Sequence, residues 1–186
     1  MRLYEFDLSQ ANTPMSFWGL ADLLGLKQYA ENMDDLALPW LNHNKPACIN
    51  KMLNDTKYHQ ASLLKLYWDT QFKHKSWTDP IGSYAGLKAF LASPMTFWRG
   101  GGGEYDPNYT GNGWFAYTYS RDRVQTFTDY DGTYASKSQF LSKRQGESWV
   151  VELTIPVGEI GLYLHNSMDS EVIIPAHLSA TARQIK

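Results

Sequence analysis

The chain has 186 residues, of which 43% are apolar and 19% charged. That is enough for a domain with a proper core and excludes wholesale disorder. The formal net charge of −2 offers no global attraction to nucleic acid or to an anionic membrane. A single cysteine, Cys48, excludes an intrachain disulfide and fits a reducing, cytoplasmic setting. In an apolar helical context it reads as a small core residue. No leader of charged, apolar and small residues opens the chain, and no apolar run approaches the ~20 residues needed to cross a bilayer. The unusual bias is aromatic: seven Trp, twelve Tyr and eight Phe suit a core and stacking surfaces for a flat ligand.

The first ninety or so residues read as helical by periodicity. Phe17, Leu20, Leu23 and Leu24 fall on one face of a first helix. Ser16 or Thr13 can cap its start, and Gly25 weakens its end. Pro46 can open a second helix carrying Cys48, Ile49, Met52 and Leu53. Tyr58 to Phe72 places Ala61, Leu64, Tyr67 and Trp68 at helical spacing, and Ser83 to Leu91 reads as a shorter helix between two prolines. After Pro94 the character changes. Thr96-Phe97-Trp98 reads as a short strand, which the glycines Gly100 to Gly103 are expected to end. Trp114 to Tyr119 is a second strand, and Arg121 to Tyr130 a short helix or turn. Asp129 to Gln145 reads as a polar loop. Ser148 to Ile155, Ile160 to Leu164, Val172 to Ile174 and a stretch within Ala180 to Ile185 complete the strands. The class is α+β: a helical N-terminal region, 1–93, and a compact β-rich core, 94–186.

Three segments of the second half can carry chemistry. Arg99 ends an aromatic strand and precedes glycines, so a planar guanidinium fork stands where a flat or anionic ligand can approach the backbone. In the second strand Thr118 and Ser120 share one face and Tyr117 and Tyr119 the other, with Val124 and Phe127 spaced for a short helix packing back on the sheet. Glu171 opens the apolar run Val172-Ile173-Ile174-Pro175, with Asp169 two residues earlier. A carboxylate beside apolar surface costs free energy unless it is paired or used. Alone, Arg99 is equally well read as an edge ion pair, the second strand is better read as an ordinary wet strand face, and Glu171 as a solvated edge acid. The histidines His43, His59, His74, His165 and His177 lack metal-ligand spacing, and Asp129-Tyr130-Asp131-Gly132 lacks the bidentate Glu of a calcium loop. No metal is expected.

In order, Phe97-Trp98-Arg99-Gly100, then Ala116-Tyr117-Thr118 with Val124 and Phe127, then Glu171-Val172-Ile173-Ile174-Pro175 resembles the arginine–serine–glutamate branch of the ADP-ribosyltransferases, which includes bacterial toxins and bacteriophage enzymes. Trp149 to Pro156 is similar to a further strand of that family. The resemblance covers roughly Thr96 to Lys186. It implies a mixed, β-sandwich-like ADP-ribosyltransferase core. It implies NAD as substrate, with Glu171 as the catalytic carboxylate and Asp169 orienting or deprotonating the nucleophile. Thr118 or Ser120 stands in for the usual serine, whose place is taken by Ala116. Arg99 would grip the diphosphate beside Trp98 and Gly100, and Phe115 or Tyr117 would wall the nicotinamide-ribose half. The function implied is mono-ADP-ribosyl transfer to a macromolecule, a protein first and nucleic acid as the alternative, by an effector acting in the cytoplasm of the producing, infected or recipient cell. An NAD glycohydrolase and a non-enzymatic aromatic-rich binding module are the competing readings. Asp169 stands where the family carries Glu or Gln, the position that goes with the choice of acceptor.

Overall fold

A computed structural model describes residues 10–33, 50, 52–73, 75–102, 104–109, 113–122, 124, 148–164 and 171–185. The helices are α1 (Phe17–Leu23), α2 (Lys27–Glu31), α3 (Thr56–Gln71), α4 (Tyr84–Ala92) and α5 (Ala176–Ser179). The strands are β1 (Pro94–Gly102), β2 (Trp114–Thr118), β3 (Ser148–Pro156), β4 (Leu162–Leu164), β5 (Glu171–Pro175) and β6 (Arg183–Gln184). They form one six-stranded sheet in the order β4-β5-β2-β1-β3-β6. The chain is α+β, and a second sheet is not present among the described residues. The chain divides into two compact units. One comprises Met1–Ser93, Pro156–Gly158 and Leu162–His165; the other comprises Pro94–Ile155, Glu159–Gly161 and Asn166–Lys186. None of the described helices is long and apolar enough to cross a membrane.

The helical unit follows its local signals. Ser16 caps α1 by accepting the Gly19 N–H at 3.0 Å, Asp55 caps α3 through Lys57, and Ser83 caps α4 through Gly86. Gly25 takes a positive φ of 64° and ends the first helix. The buried face of α1 is Phe17, Leu20 and Ala21, whereas Leu23 is 39% exposed. The helix is only two turns long and turns back at Leu24, which carries Leu23 off the expected stripe. Cys48 and Ile49 lie outside the described residues; Met52 is fully buried.

α3 is the unit's axis. Eight consecutive residues, Ala61 to Trp68, are buried, so this helix is covered on every side and not on one stripe. Two polar residues in that run need internal partners. The Ser62 hydroxyl donates to the His59 carbonyl at 2.8 Å and accepts the Tyr163 N–H of β4 at 3.1 Å. The Lys65 ammonium lies 5.2 Å from the centre of the Trp77 ring. Phe17 closes the aromatic cluster, 4.3 Å from Trp77 and 5.9 Å from Trp68 between ring centres. A Cβ on Gly82 would stand 2.6 Å from the Trp68 ring, so glycine is what lets Met15 and Gly82 pair across this cluster.

In the second unit β2 is the centre. All five of its residues pair antiparallel with β5, from Trp114↔Pro175 to Thr118↔Glu171, and on its other side Trp98 of β1 stands opposite Thr118. β1 lies between β2 and β3, where the Thr96 and Thr154 hydroxyls meet at 2.8 Å. β6 pairs with β3 and adds an ion pair between Arg183 and Glu152. The glycines do not end β1, which runs on through Gly102. Gly101 explains why: its missing Cβ would fall 2.5 Å from the Trp149 ring, so the close approach of β3 needs glycine there and overrides its poor strand propensity. The four-residue α5 after Pro175 was not foreseen from periodicity, since it is shorter than the pattern that reveals a helix.

The Ser62 hydroxyl bridges α3 and β4. We predict that Ser62→Ala, which strands the buried Tyr163 N–H, destabilises folding by about 1–3 kcal/mol in urea denaturation. A loss below about 0.5 kcal/mol would show that the bridge is dispensable.

Candidate active site

Register decides which of the candidate residues meet. Thr118 of β2 stands opposite Trp98 of β1 on one side and Glu171 of β5 on the other. Directly opposed residues in a sheet share a face, so the three side chains form one row. By alternation Gly100 and Ala116 lie on that same face. A cavity of about 180 Å³ opens here, lined by Trp98, Arg99, Gly100, Ala116, Tyr117, Thr118, Val124 and Glu171. It has room for one ring and its attachments, well short of a whole dinucleotide.

Within the row, Thr118 is 4% exposed, and its hydroxyl accepts the Ser120 N–H at 3.1 Å, which fixes the turn that ends β2. Ser120 lies beyond the strand, so the expected alternation stops at Thr118. Glu171 is half-buried at the first position of β5, directly opposite that hydroxyl. Val124, 2% exposed, closes the cavity from the helical turn that includes Arg121 and Asp122. Asp169 and Phe127 lie outside the described residues. Ala116 supplies no hydroxyl, so Thr118 alone provides one beside Glu171 on β2.

Arg99 points the other way. Its guanidinium stacks 4.1 Å from the centre of the Phe115 ring and 5.3 Å from that of Trp149. Phe115 and Tyr117 alternate with Ala116 and Thr118, so this aromatic box is on the reverse face from Glu171. Tyr105 and Tyr109 approach the box through Trp149 and Phe115, with ring centres 5.0 and 5.9 Å apart respectively. Burial lowers the Arg99 pKa from its ordinary value, and the phenols of Tyr117, Tyr105 and Tyr109 act against that shift. An arginine starts so high that it stays charged. The Tyr117 hydroxyl meets the Ser179 hydroxyl of α5 at 2.7 Å. Burial raises the Tyr117 pKa, opposed by its hydrogen bond to Ser179 and by the charge of Arg99.

The residues expected to form one site therefore fall into two groups. Trp98, Gly100, Thr118 and Glu171 share one strand face, and Arg99, Phe115 and Tyr117 share the other, Arg99 and Tyr117 also lining the cavity. Sequence reading did not assign Trp149 and Ser179 to either group. Trp149 alternates with Val151, Leu153 and Ile155, a pattern that signals only a buried strand face. Its contact with Arg99 needs β1 and β3 to be neighbours, which no local pattern encodes. Among the described residues no group of three or more His, Cys, Asp or Glu side chains is placed to hold a metal ion. Comparison of the chain with known protein-family models, curated proteins and solved structures finds no match.

The raised pKa of Tyr117 has a signed consequence. A phenol whose pKa is higher folded than unfolded contributes stability below the unfolded value, about 10, that is lost as pH rises through the folded value. Tyr67 and Tyr84, also raised by burial, add to the same loss. We predict that the urea midpoint falls steeply above the ordinary phenol pKa and that Tyr117→Phe makes this fall shallower. Identical slopes for the two proteins would remove Tyr117 from the effect.

Proposed function

We propose that the chain is an ADP-ribosyltransferase that cleaves the nicotinamide–ribose bond of NAD on the Thr118–Glu171 face and transfers ADP-ribose to a macromolecular acceptor, in the first instance a protein. The observation that carries this reading is the register pair Thr118↔Glu171, continued to Trp98. Three segments separated by 20 and 53 positions in sequence, at residues 98, 118 and 171, supply adjacent strands and one row of side chains. A carboxylate, a hydroxyl and an indole beside a ring-sized cavity are the groups such a reaction needs.

In this mechanism the carbon–nitrogen bond to nicotinamide breaks and its electron pair leaves with the nicotinamide. Positive charge develops at the ribose carbon and ring oxygen. The Glu171 carboxylate accepts a hydrogen bond from a ribose hydroxyl and stabilises that charge, which is present chiefly in the transition state. The acceptor's nucleophile then bonds to the carbon and gives up its proton, for which Asp169 is the base suggested by the family resemblance. Trp98 offers a flat wall for the nicotinamide ring, and Gly100 leaves the β1 side of the cavity open. Thr118 fixes the end of β2 through Ser120 and keeps the hydroxyl beside the carboxylate.

The role first expected for Arg99 changes in this reading. A guanidinium on the reverse face does not grip a diphosphate whose nicotinamide end lies against Glu171. Arg99 is a positioning residue. By stacking on Phe115 and Trp149 it ties β2 to β3 across β1 and holds the register on which the Thr118–Glu171 pair depends.

Incubation with NAD labelled in the adenylate half, together with a cell lysate, tests the proposal. Label on a protein supports transfer. Label released only as free ADP-ribose would make the activity hydrolysis. Neither label nor nicotinamide release would leave a binding module. In the active protein, Glu171→Gln should lower turnover by about 10²- to 10³-fold with little change in NAD affinity. Equal modest losses in both quantities would contradict the catalytic assignment.

A further inference from the structure

A second cavity, of about 240 Å³, lies within the helical unit and takes no part in the chemistry above. Its walls are Leu24 and Leu26 from the turn after α1, Leu63 from α3, and Leu87 and Leu91 from α4. Gly158 closes one side, and the backbone oxygen of Leu91 would stand 3.2 Å from a Cβ placed there. An apolar cavity of about 150 Å³ is already large enough to take up benzene, so this one can hold a larger apolar body.

The polar groups around it are one-sided. His59 and Gln60 come from the first turns of α3 and Lys88 from the exposed side of α4. Among the described residues no carboxylate belongs to the lining. The Lys88 ammonium stands 5.9 Å from the centre of the Tyr84 ring, on a residue that is itself 5% exposed and part of the cavity wall. Lysine here spreads its methylene stem along apolar surface and presents its charge at the mouth. An apolar interior with a cation and hydrogen-bonding groups at its edge is complementary to a molecule with an apolar tail and an anionic head. A neutral apolar guest would leave the rim unused, and a cationic amphiphile would meet like charge.

We propose that this cavity binds a small carboxylic acid with an apolar tail, the tail among Leu63, Leu87 and Leu91 and the carboxylate at Lys88. The site is independent of the NAD reading. It would give the helical unit a small-molecule ligand of its own.

Calorimetric titration of the full chain with octanoate, octanol and octylamine tests this. Octanoate should bind, octanol should bind about 2- to 5-fold more weakly, and octylamine most weakly. Lys88→Gln should erase the preference for octanoate over octanol. Leu91→Trp, which fills the mouth from a half-buried position, should weaken octanoate and octanol alike by about 10-fold or more. Should Leu91→Trp fail to fold by circular dichroism, the Lys88→Gln comparison decides on its own. Absence of octanoate binding, equal binding of octanoate and octylamine, or an unchanged preference in Lys88→Gln would each overturn the proposal. None of these outcomes bears on NAD turnover, so failure here is distinguishable from failure of the transferase reading.

Discussion

Pairing of β2 with β1 on one side and β5 on the other is the constraint on which the candidate site rests. Side chains in a sheet alternate with a period of two, and opposed residues share a face. Once Thr118 stands opposite both Trp98 and Glu171, every other assignment in the site follows. Ala116 and Gly100 join the row, while Arg99, Phe115 and Tyr117 are excluded from it. A slip of one residue between β1 and β2 would exchange Trp98 for Arg99 beside Thr118 and make a different site from the same sequence. The devices that prevent a slip are visible on the reverse face. Arg99 stacks on Phe115 from β2 and Trp149 from β3, Gly101 gives Trp149 the space to approach, and Tyr117 is tied to Ser179.

The aromatic content of the chain is used in two distinct ways. In the helical unit it builds a core: Phe17, Trp68, Phe72 and Trp77 pack edge to face or tilted within 4.3–5.9 Å of a neighbour. Those geometries suit the ring quadrupoles better than face-to-face stacking. In the β-rich unit the aromatics surround a cation. Arg99 has desolvated neighbours whose ring faces and hydroxyls offset part of the cost of burial. Ser62 and Lys65 in the middle of α3 follow the same logic, since each buried polar group is met by a carbonyl, an N–H or a ring.

Much of the helical architecture was legible because its signals are local. Ser16 announces the start of α1 by residue type and Gly25 its stop, and Ser83 marks the start of α4, whereas periodicity starts α3 at Tyr58 and passes over its cap, Asp55. The division of β2 into a Thr118 face and a Tyr117 face was legible too, since alternation needs only one strand. What the sequence does not carry is register between strands. The order Arg99, Thr118, Glu171 along the chain suggests one cluster, and only the pairing reveals that Thr118 and Glu171 meet while Arg99 lies behind them. Gly100 to Gly102 were misread for a related reason. Glycine is a poor strand former in isolation, but here it lies between two strands that fix its backbone, one of them carrying Trp149. The family resemblance was carried by residue order, whereas the pairing sets Glu171 beside Thr118 and puts Arg99 on the other strand face.

The proposed reaction requires the nicotinamide end of NAD to lie on the Thr118–Glu171 face of the sheet. Nuclear Overhauser contacts between the nicotinamide ring protons and the protein, recorded with Glu171→Gln so that NAD stays intact, read this directly. Contacts to the Trp98 indole and the Thr118 methyl are the predicted result. Contacts to Phe115, Tyr117 or Trp149 would put the ligand against Arg99 on the reverse face and contradict it.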